Sequence, residues 1–589
     1  MIRIRTGYDQ SGVQVKMKKT VKHIDQSKRF TILRIAAWVV VSLQAALLPV
    51  SAQQEIPYTE EITVISPYKP TITESFKISQ NPRIETQNLQ KPELSYSIQE
   101  HLIQTTFDPQ PIKPVAIVGE PIDKLYRNFI RGGFGNYRTP YLEFFAGSLR
   151  SKEFAFGVHL RHLSSGEMKD HPSSSQSDNT MDVWGKKFLK KHTLSGNLLY
   201  DRTMVHYYGY DDSLAEAYDV SKEKLRQTYN LIGMQATLES SHRGDKINTG
   251  AGFGYAYLFN RDQTKEHHGN LQLNLDKNLS LMKFTSEEKL TVKVRADVFG
   301  NADSLVQSTS ALIGLEPVLD VFMDEYSFRI GFNASVGIDS LSKIHFYPLV
   351  EVAVAILPGS LKAYLGLKGG IERMNFRKLS DANPFLNATP QMRFTSERYH
   401  LYGGINSRIG KFVDWMVQVS GSGCRNLAFF VNDTSTQRNK DLENQFAVIY
   451  DDGSVIHGKT EITFRKTERL GFSLMANYYK YSLDHEAEAW HKPAYDLLLS
   501  GKYNLQDKFL LTASFIYNGK TFAKTWQDGL PAPKELKGYL DVNLGLEYRY
   551  NKNLSGFIQL NNLTNQTYYR WNNYASQKLN GLIGVTYAF

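Results

Sequence analysis

Histidine and glutamate, the residue types of a hydrolytic zinc site, come together at His485-Glu486-Ala487-Glu488-Ala489-Trp490-His491. The zinc helix needs His-Glu-x-x-His, which sets two imidazoles one turn apart on one face. His485 and His491 are too far apart for that, and the stretch is expected in a loop. His267 and His268 are adjacent, and neighbours on a strand point to opposite faces, so they do not form a ligand pair. Gly250, Gly252 and Gly254 lack the following helix that a dinucleotide turn requires; a glycine face lining a barrel is the better reading. Asp211 with Asp212, and Asp451 with Asp452, could hold calcium in surface loops, but solvated loop acids explain them equally well. Cys424 is the single cysteine, so neither a disulfide within the chain nor a cysteine zinc site can form, and it is expected packed in a strand or loop. No phosphate loop and no Gly-x-Ser-x-Gly elbow occurs. The expectation is a protein with no catalytic, cofactor or metal site, and not an enzyme.

The elements around these residues read as strands. In residues 579–589, Phe589, Tyr587, Val585, Ile583, Gly581 and Leu579 fall on one face, and Ala588, Thr586, Gly584, Leu582 and Asn580 on the other. A period of two is a β-strand. Leu540, Val542, Leu544, Leu546, Tyr548 and Tyr550 alternate with Asp541, Asn543, Gly545, Glu547 and Arg549. An apolar face ending in aromatics, backed by charge, suits a lipid-facing wall around a water-filled lumen. Tyr495 to Leu505 and Phe509 to Asn518 repeat the pattern across a tight turn at Gln506-Asp507. Connections alternate in length. Tight ones are expected at 240–246, 358–361, 506–508 and 551–553, and long polar ones at 164–179, 209–224, 374–392, 432–442 and 518–534. Short turns on one side and long loops on the other are the asymmetry of outer-membrane barrels. The predicted fold is all-β: a large antiparallel transmembrane β-barrel of about 20–24 strands over residues 126–589.

Composition agrees. The chain of 589 residues holds 34 Tyr, 32 Phe and 42 Gly, which suits strands and aromatic girdles. Mean hydropathy is −0.38, unremarkable because barrel strands alternate. The net charge of +10 is concentrated in residues 1–52, where nine Lys and Arg face only Asp9 and Asp25, leaving about +3 elsewhere. Nucleic acid is therefore not implied as a partner.

Residues 1–52 read as an export signal: lysines and arginines from Lys16 to Arg34, an uncharged run from Ile35 to Val50, then the small residues Ser51 and Ala52. Residues 53–125 carry nine of the 20 prolines, too dense for helices or ladders, so a proline-rich periplasmic or lumen-inserted segment is expected. Within it, Glu60, Glu61, Ile62, Thr63, Val64 and Ile65 form a short, β-prone stretch that opens on two acids.

That stretch resembles the Ton box of TonB-dependent receptors, which adds a strand to a periplasmic partner; a short strand tucked under or inside the chain's own barrel is the other reading. Asn561-Asn562-Leu563-Thr564-Asn565-Gln566-Thr567-Tyr568-Tyr569, followed by a strand ending in Tyr587-Ala588-Phe589, resembles the close of a TonB-dependent receptor barrel of the Bacteroidetes type. The resemblance implies that Tyr587 and Phe589 form the signal read by the barrel-assembly machinery, and that a TonB-type protein engages residues 60–65. The family's globular plug is larger than residues 53–125, so a minimal plug, an open pore or a lumen filled by a partner all stay open. Three functions follow as alternatives: uptake of an extracellular ligand, a passive pore, or a scaffold for other outer-membrane proteins. In each the chain is exported to the bacterial outer membrane and surrounded by its lipid.

Overall fold

A computed structural model describes residues 128–589, apart from 150, 211–219, 241–246, 283–284, 340–341, 435–441, 468 and 528–529. The described residues belong to one compact unit, Ile117–Phe589. Residues 1–52 and 53–125, with Glu60 to Ile65 among them, lie outside the described residues, as do Asp211 and Asp212.

The physical reason for closure is the backbone. In hydrocarbon an unpaired strand edge leaves polar groups unsatisfied, so a spanning sheet must close on itself. Twenty-two strands do so, each antiparallel to its neighbours. The first, Asn128–Gly135, pairs with the last, Asn580–Ala588. At the join, the Asn128 N–H donates to the Phe589 carbonyl at 3.1 Å, and the Phe589 N–H to that of Asn128 at 2.9 Å.

Each strand follows its alternation. In the last strand Ile583 is 62% exposed and its neighbour Leu582 only 4%. Val585, Tyr587 and Phe589 share the outer face of Ile583. In Tyr539–Arg549, Leu540, Leu544, Leu546 and Tyr548 are exposed outward, and Asp541 and Glu547 turn inward. Aromatics band the outer wall at two levels: Tyr503, Phe509, Tyr548 and Tyr587 toward the end that carries Asn128 and Phe589, and Tyr478, Tyr495 and Tyr517 toward the other. An apolar wall between two girdles is a bilayer-spanning surface. Among the described residues no helix is long and apolar enough to cross a membrane.

Connections at the end with Asn128 and Phe589 are all short, including those expected at 240–246, 358–361, 506–508 and 551–553. Every long connection lies at the opposite, loop end. There the structure departs from simple polar loops. Residues 374–393 hold a helix, Phe376–Ala382, and residues 519–538 form a β-hairpin, Thr521–Gln527 with Leu530–Leu536. Pro531 and Pro533, with lysines on both strands, interrupt the alternation that would have signalled that hairpin.

The longest strands, Val413–Asn432 and Phe446–Thr467, rise above the wall at this end. A bulge at Arg425 and Asn426, opposite Asp452, re-aims the first as it rises. Beyond the bulge both faces are covered. Ala428, Phe430 and Phe446 pack inward, and Phe429 and Val431 pack outward under Trp490. That is why 427–431 and 446–450 read as nearly continuous apolar runs.

Candidate functional site

The loops at the loop end fold over the mouth of the barrel and onto one another. Phe385 stacks on Tyr574 with ring centroids 3.7 Å apart, and Tyr208 meets Tyr574 edge-on at 4.9 Å. Trp571 and Phe446 extend this aromatic cluster at 5.5 Å. The residues come from the connection after His206, from 374–393, from the small hairpin of Tyr569–Trp571 with Tyr574–Ala575, and from the start of the strand Phe446–Thr467.

The cap reaches right across. On one wall, the Tyr229 hydroxyl donates to the Pro384 carbonyl at 2.9 Å and the Thr264 hydroxyl to that of Ala388 at 2.7 Å. On a wall nearly opposite, Leu386 bridges to Phe446, and the Asn387 N–H donates to the Phe446 carbonyl at 2.9 Å. The Tyr207 hydroxyl donates to the Leu386 carbonyl at 2.7 Å. The Tyr574 hydroxyl bonds the Asn444 carbonyl, and the Asn387 amide bonds Asp433 at 2.6 Å.

Glu266 anchors the helix of the cap. It stands on the inner face of Lys265–Leu279, and its carboxylate accepts from the backbone N–H of Phe376 at 2.7 Å and of Arg377 at 3.3 Å. The side-chain amides of Asn375 and Asn301 complete its shell at 2.9 and 2.8 Å. The first N–H groups of a helix have no partner within it, so a carboxylate held there satisfies them.

His491 joins the cap to the outer loop. Its Nδ1 donates to the Phe430 carbonyl at 2.9 Å, and its Nε2 accepts the Asn572 N–H at 3.2 Å. With one nitrogen donating and the other accepting, the ring is neutral. Burial pushes its pKa down to about 4.

Below the cap the inner wall is polar and aromatic. Two rungs of directly opposed residues cross neighbouring strands. One runs Glu351, Gly366, Tyr402, Ser420, His457 and Tyr479, the other Tyr364, Gly404, Gln418, Lys459 and Asn477. Their sequence neighbours Leu365, Leu401, Val419, Ile456 and Tyr478 are exposed on the outer wall, which sets both rungs facing the lumen.

Several sequence expectations can be placed. His485 to His491 lie between strands, in a connection. His485 bonds Asp451 at 2.8 Å, and Glu486 accepts from the Trp490 indole at 2.7 Å and from Lys524 at 2.8 Å. Asp451 also accepts the backbone N–H groups of His485 and Glu486, so it braces that connection. His267 and His268 split as expected: His267 bonds the Tyr255 hydroxyl on the outside, and His268 bonds Asp297 on the inside. Gly250, Gly252 and Gly254 share the inner face with Leu258. Cys424 is buried in its strand.

The stretch from Asn562 to Tyr568 is a turn locked to the strands beside it. Asn562 and Asn565 take positive φ, 51° each, which asparagine tolerates better than most residues. The Asn562 amide donates to the carbonyls of Gln566 and Gln577 at 2.7 and 2.8 Å, and the Tyr568 hydroxyl donates to Asp541 at 2.8 Å. Asp541, expected simply to line the lumen, holds this turn. Tyr587 and Phe589 stack with each other on the outer wall at 5.7 Å. The aromatic cap was not anticipated; its signal was the loss of alternation at 427–431 and 446–450.

Among the described residues no group of three or more His, Cys, Asp or Glu is placed to hold a metal ion. No family model and no curated protein matches the chain. Solved structures share its fold. The ferripyoverdine receptor of the outer membrane of Pseudomonas aeruginosa, bound to ferripyoverdine, superposes with a TM-score of 0.60 at 11% identity, covering 79% of this chain and 72% of that one. The ferric-catecholate import receptor Fiu of K12 E. coli gives 0.58 at 10%, covering 79% and 82%. The FrpB iron transporter of Neisseria meningitidis gives 0.60 at 10%, covering 80% and 82%.

Proposed function

We propose that this chain is an outer-membrane receptor that takes up an extracellular ligand, energised from the periplasm by a TonB-type protein that engages Glu60, Glu61, Ile62, Thr63, Val64 and Ile65. The observation that carries the reading is the cap: a wide, polar-lined barrel whose mouth is crossed by its own packed loops. A passive pore gains nothing from a mouth crossed this way, whereas a receptor needs loops that hold a ligand and then yield to work done from the far side. The fold is shared with proteins named as ferric-chelate receptors and an iron transporter, which supports the reading at the level of architecture. In the same proposal the chain is of the Bacteroidetes type, residues 53–125 serve as a short periplasmic or lumenal segment, and Tyr587 with Phe589 is the signal for the barrel-assembly machinery.

A scaffold within a larger outer-membrane complex is the second reading. It is favoured by the hairpin of Thr521–Gln527 and Leu530–Leu536, whose Trp526 and Leu530 are exposed at the loop end. Deleting residues 60–65 separates the two. Uptake predicts that the barrel still folds, that ligand accumulation stops, and that capture of a TonB-type protein from detergent extracts is lost. A stable set of other outer-membrane proteins at near-equal abundance, unaffected by the deletion, would establish the scaffold instead.

A further inference from the structure

The two rungs on the inner wall have a chemistry of their own. Tyr402 lies against Gly366 and Tyr364 against Gly404, so closely that a Cβ at either glycine would collide with the tyrosine opposite. Each ring therefore lies along the lumenal side of the wall, across a glycine of the neighbouring strand. The ring centroids are 6.3 Å apart and inclined at 53°.

Hydrogen-bonding groups surround the rings, and cations do not outnumber carboxylates among them. Arg329 pairs with Asp320 at 2.7 Å, and Lys459 with Glu461 at 2.7 Å. Glu351 accepts the Tyr402 hydroxyl at 2.7 Å, and Gln418 that of Tyr364 at 3.0 Å. Lys368 reaches to 5.4 Å from the Tyr402 centroid, and Asp496, bonded to Asn477, lies at the far end. A surface meant to gather an anionic metal chelate would carry a surplus of cations; this one does not. Flat aromatic faces ringed by amide, carboxylate and ammonium groups suit a ligand with an apolar ring face and many hydroxyls at its rim.

We propose that this face is a lumenal binding strip for a neutral saccharide, with Tyr364 and Tyr402 as stacking platforms and Gln418, Lys459 and Asn477 as partners for its hydroxyls. The proposal rests on the uptake reading and gives its substrate class. The strip lies beneath the cap, so the ligand meets it after the loops have yielded.

Calorimetry on the purified protein in detergent, both full-length and with the cap opened by deletion of 377–388, tests this, with maltohexaose, xylohexaose and mannohexaose as probes and a ferric tris-catecholate as the anionic comparison. At least one hexasaccharide binds, and Tyr364→Leu with Tyr402→Leu weakens it about tenfold or more. The Phe variants at the same positions keep the ring and stay within about threefold. Heat-modifiable gel mobility confirms that every variant is folded. The strip is refuted if no hexasaccharide binds even to the cap-deleted protein, or if the Leu variants bind as well as their parent. Binding of the ferric chelate alone refutes the substrate class and leaves uptake standing. Saccharide binding together with cellular accumulation that is indifferent to loss of residues 60–65 keeps the strip and refutes energised uptake.

Discussion

At the scale of single residues, His491 shows how much a buried neutral group can control. Its lone pair at Nε2 faces the Asn572 N–H, so a proton there would set two donors against each other. The rings of Phe446 and Trp571 pack on it, and the adjacent ammonium of Lys492 is also held below its usual pKa by burial. An opened cap returns His491 to about 6.5, whereas the closed cap holds it at about 4. The open form therefore takes up the proton first, and closure is fully stable above pH 6.5 and weakens as pH falls toward 4. The span corresponds to roughly 3 kcal/mol. Hydrogen exchange across 384–388 and 569–575 should rise over that pH window, and His491→Gln should flatten the dependence. A flat profile in the parent protein would show that His491 does not hold the cap. None of this was legible in the sequence, where His491 stood out only as half of a failed zinc motif. Asp541 was read correctly as inward-facing, but its bond to Tyr568 depends on a contact between residues well separated in the chain.

At the scale of elements, the strands were the most legible part, because a lipid-facing wall imposes alternation on each strand independently of its partners. The turn at Gln506-Asp507, the hairpin around it and the terminal strand lie where the sequence set them. The helix Phe376–Ala382 and the hairpin Thr521–Gln527 with Leu530–Leu536 were read as loops. The helix is held by Glu266, and the hairpin by Phe522 packed with Phe429, Val431 and Trp490 and by Lys524 paired with Glu486, not by a local period. The seam between the first and last strands makes a sharp prediction. A Cβ at Gly584 would strike the Gly132 carbonyl and the Phe557 ring, whereas one at Gly581 meets nothing nearer than Leu560 at 3.4 Å. Phe557 is itself fixed beneath the Arg131 guanidinium at 3.9 Å, so it has little room to yield. Gly584→Val should abolish the compact, heat-modifiable band on unboiled gels, and Gly581→Ala should retain it. If Gly584→Val runs as a folded barrel, the seam is looser than the geometry indicates.

At the scale of the whole molecule, the cap governs who can reach the lumen. Deleting 377–388 removes the helix and the crossing from Tyr229 to Phe446 while leaving the barrel wall intact. In a Cys424→Ser background, a cysteine placed by Gln418→Cys should react with a membrane-impermeant maleimide on whole cells only after that deletion. Equal labelling without it would mean that the mouth is already open. Closure has a kinetic consequence as well. Asn136 and Gly581 hydrogen-bond across the seam although they stand 445 residues apart in the chain. The chain entropy of so large a loop must be given up before the join returns any energy, so the join is expected to form last. Until then the nascent sheet has two open edges, Asn128–Gly135 and Asn580–Ala588, each able to recruit a foreign strand. The protein is therefore most prone to aggregate at the last step of its own folding, and shielding the strand that ends in Tyr587 and Phe589 until its partner arrives would protect it most.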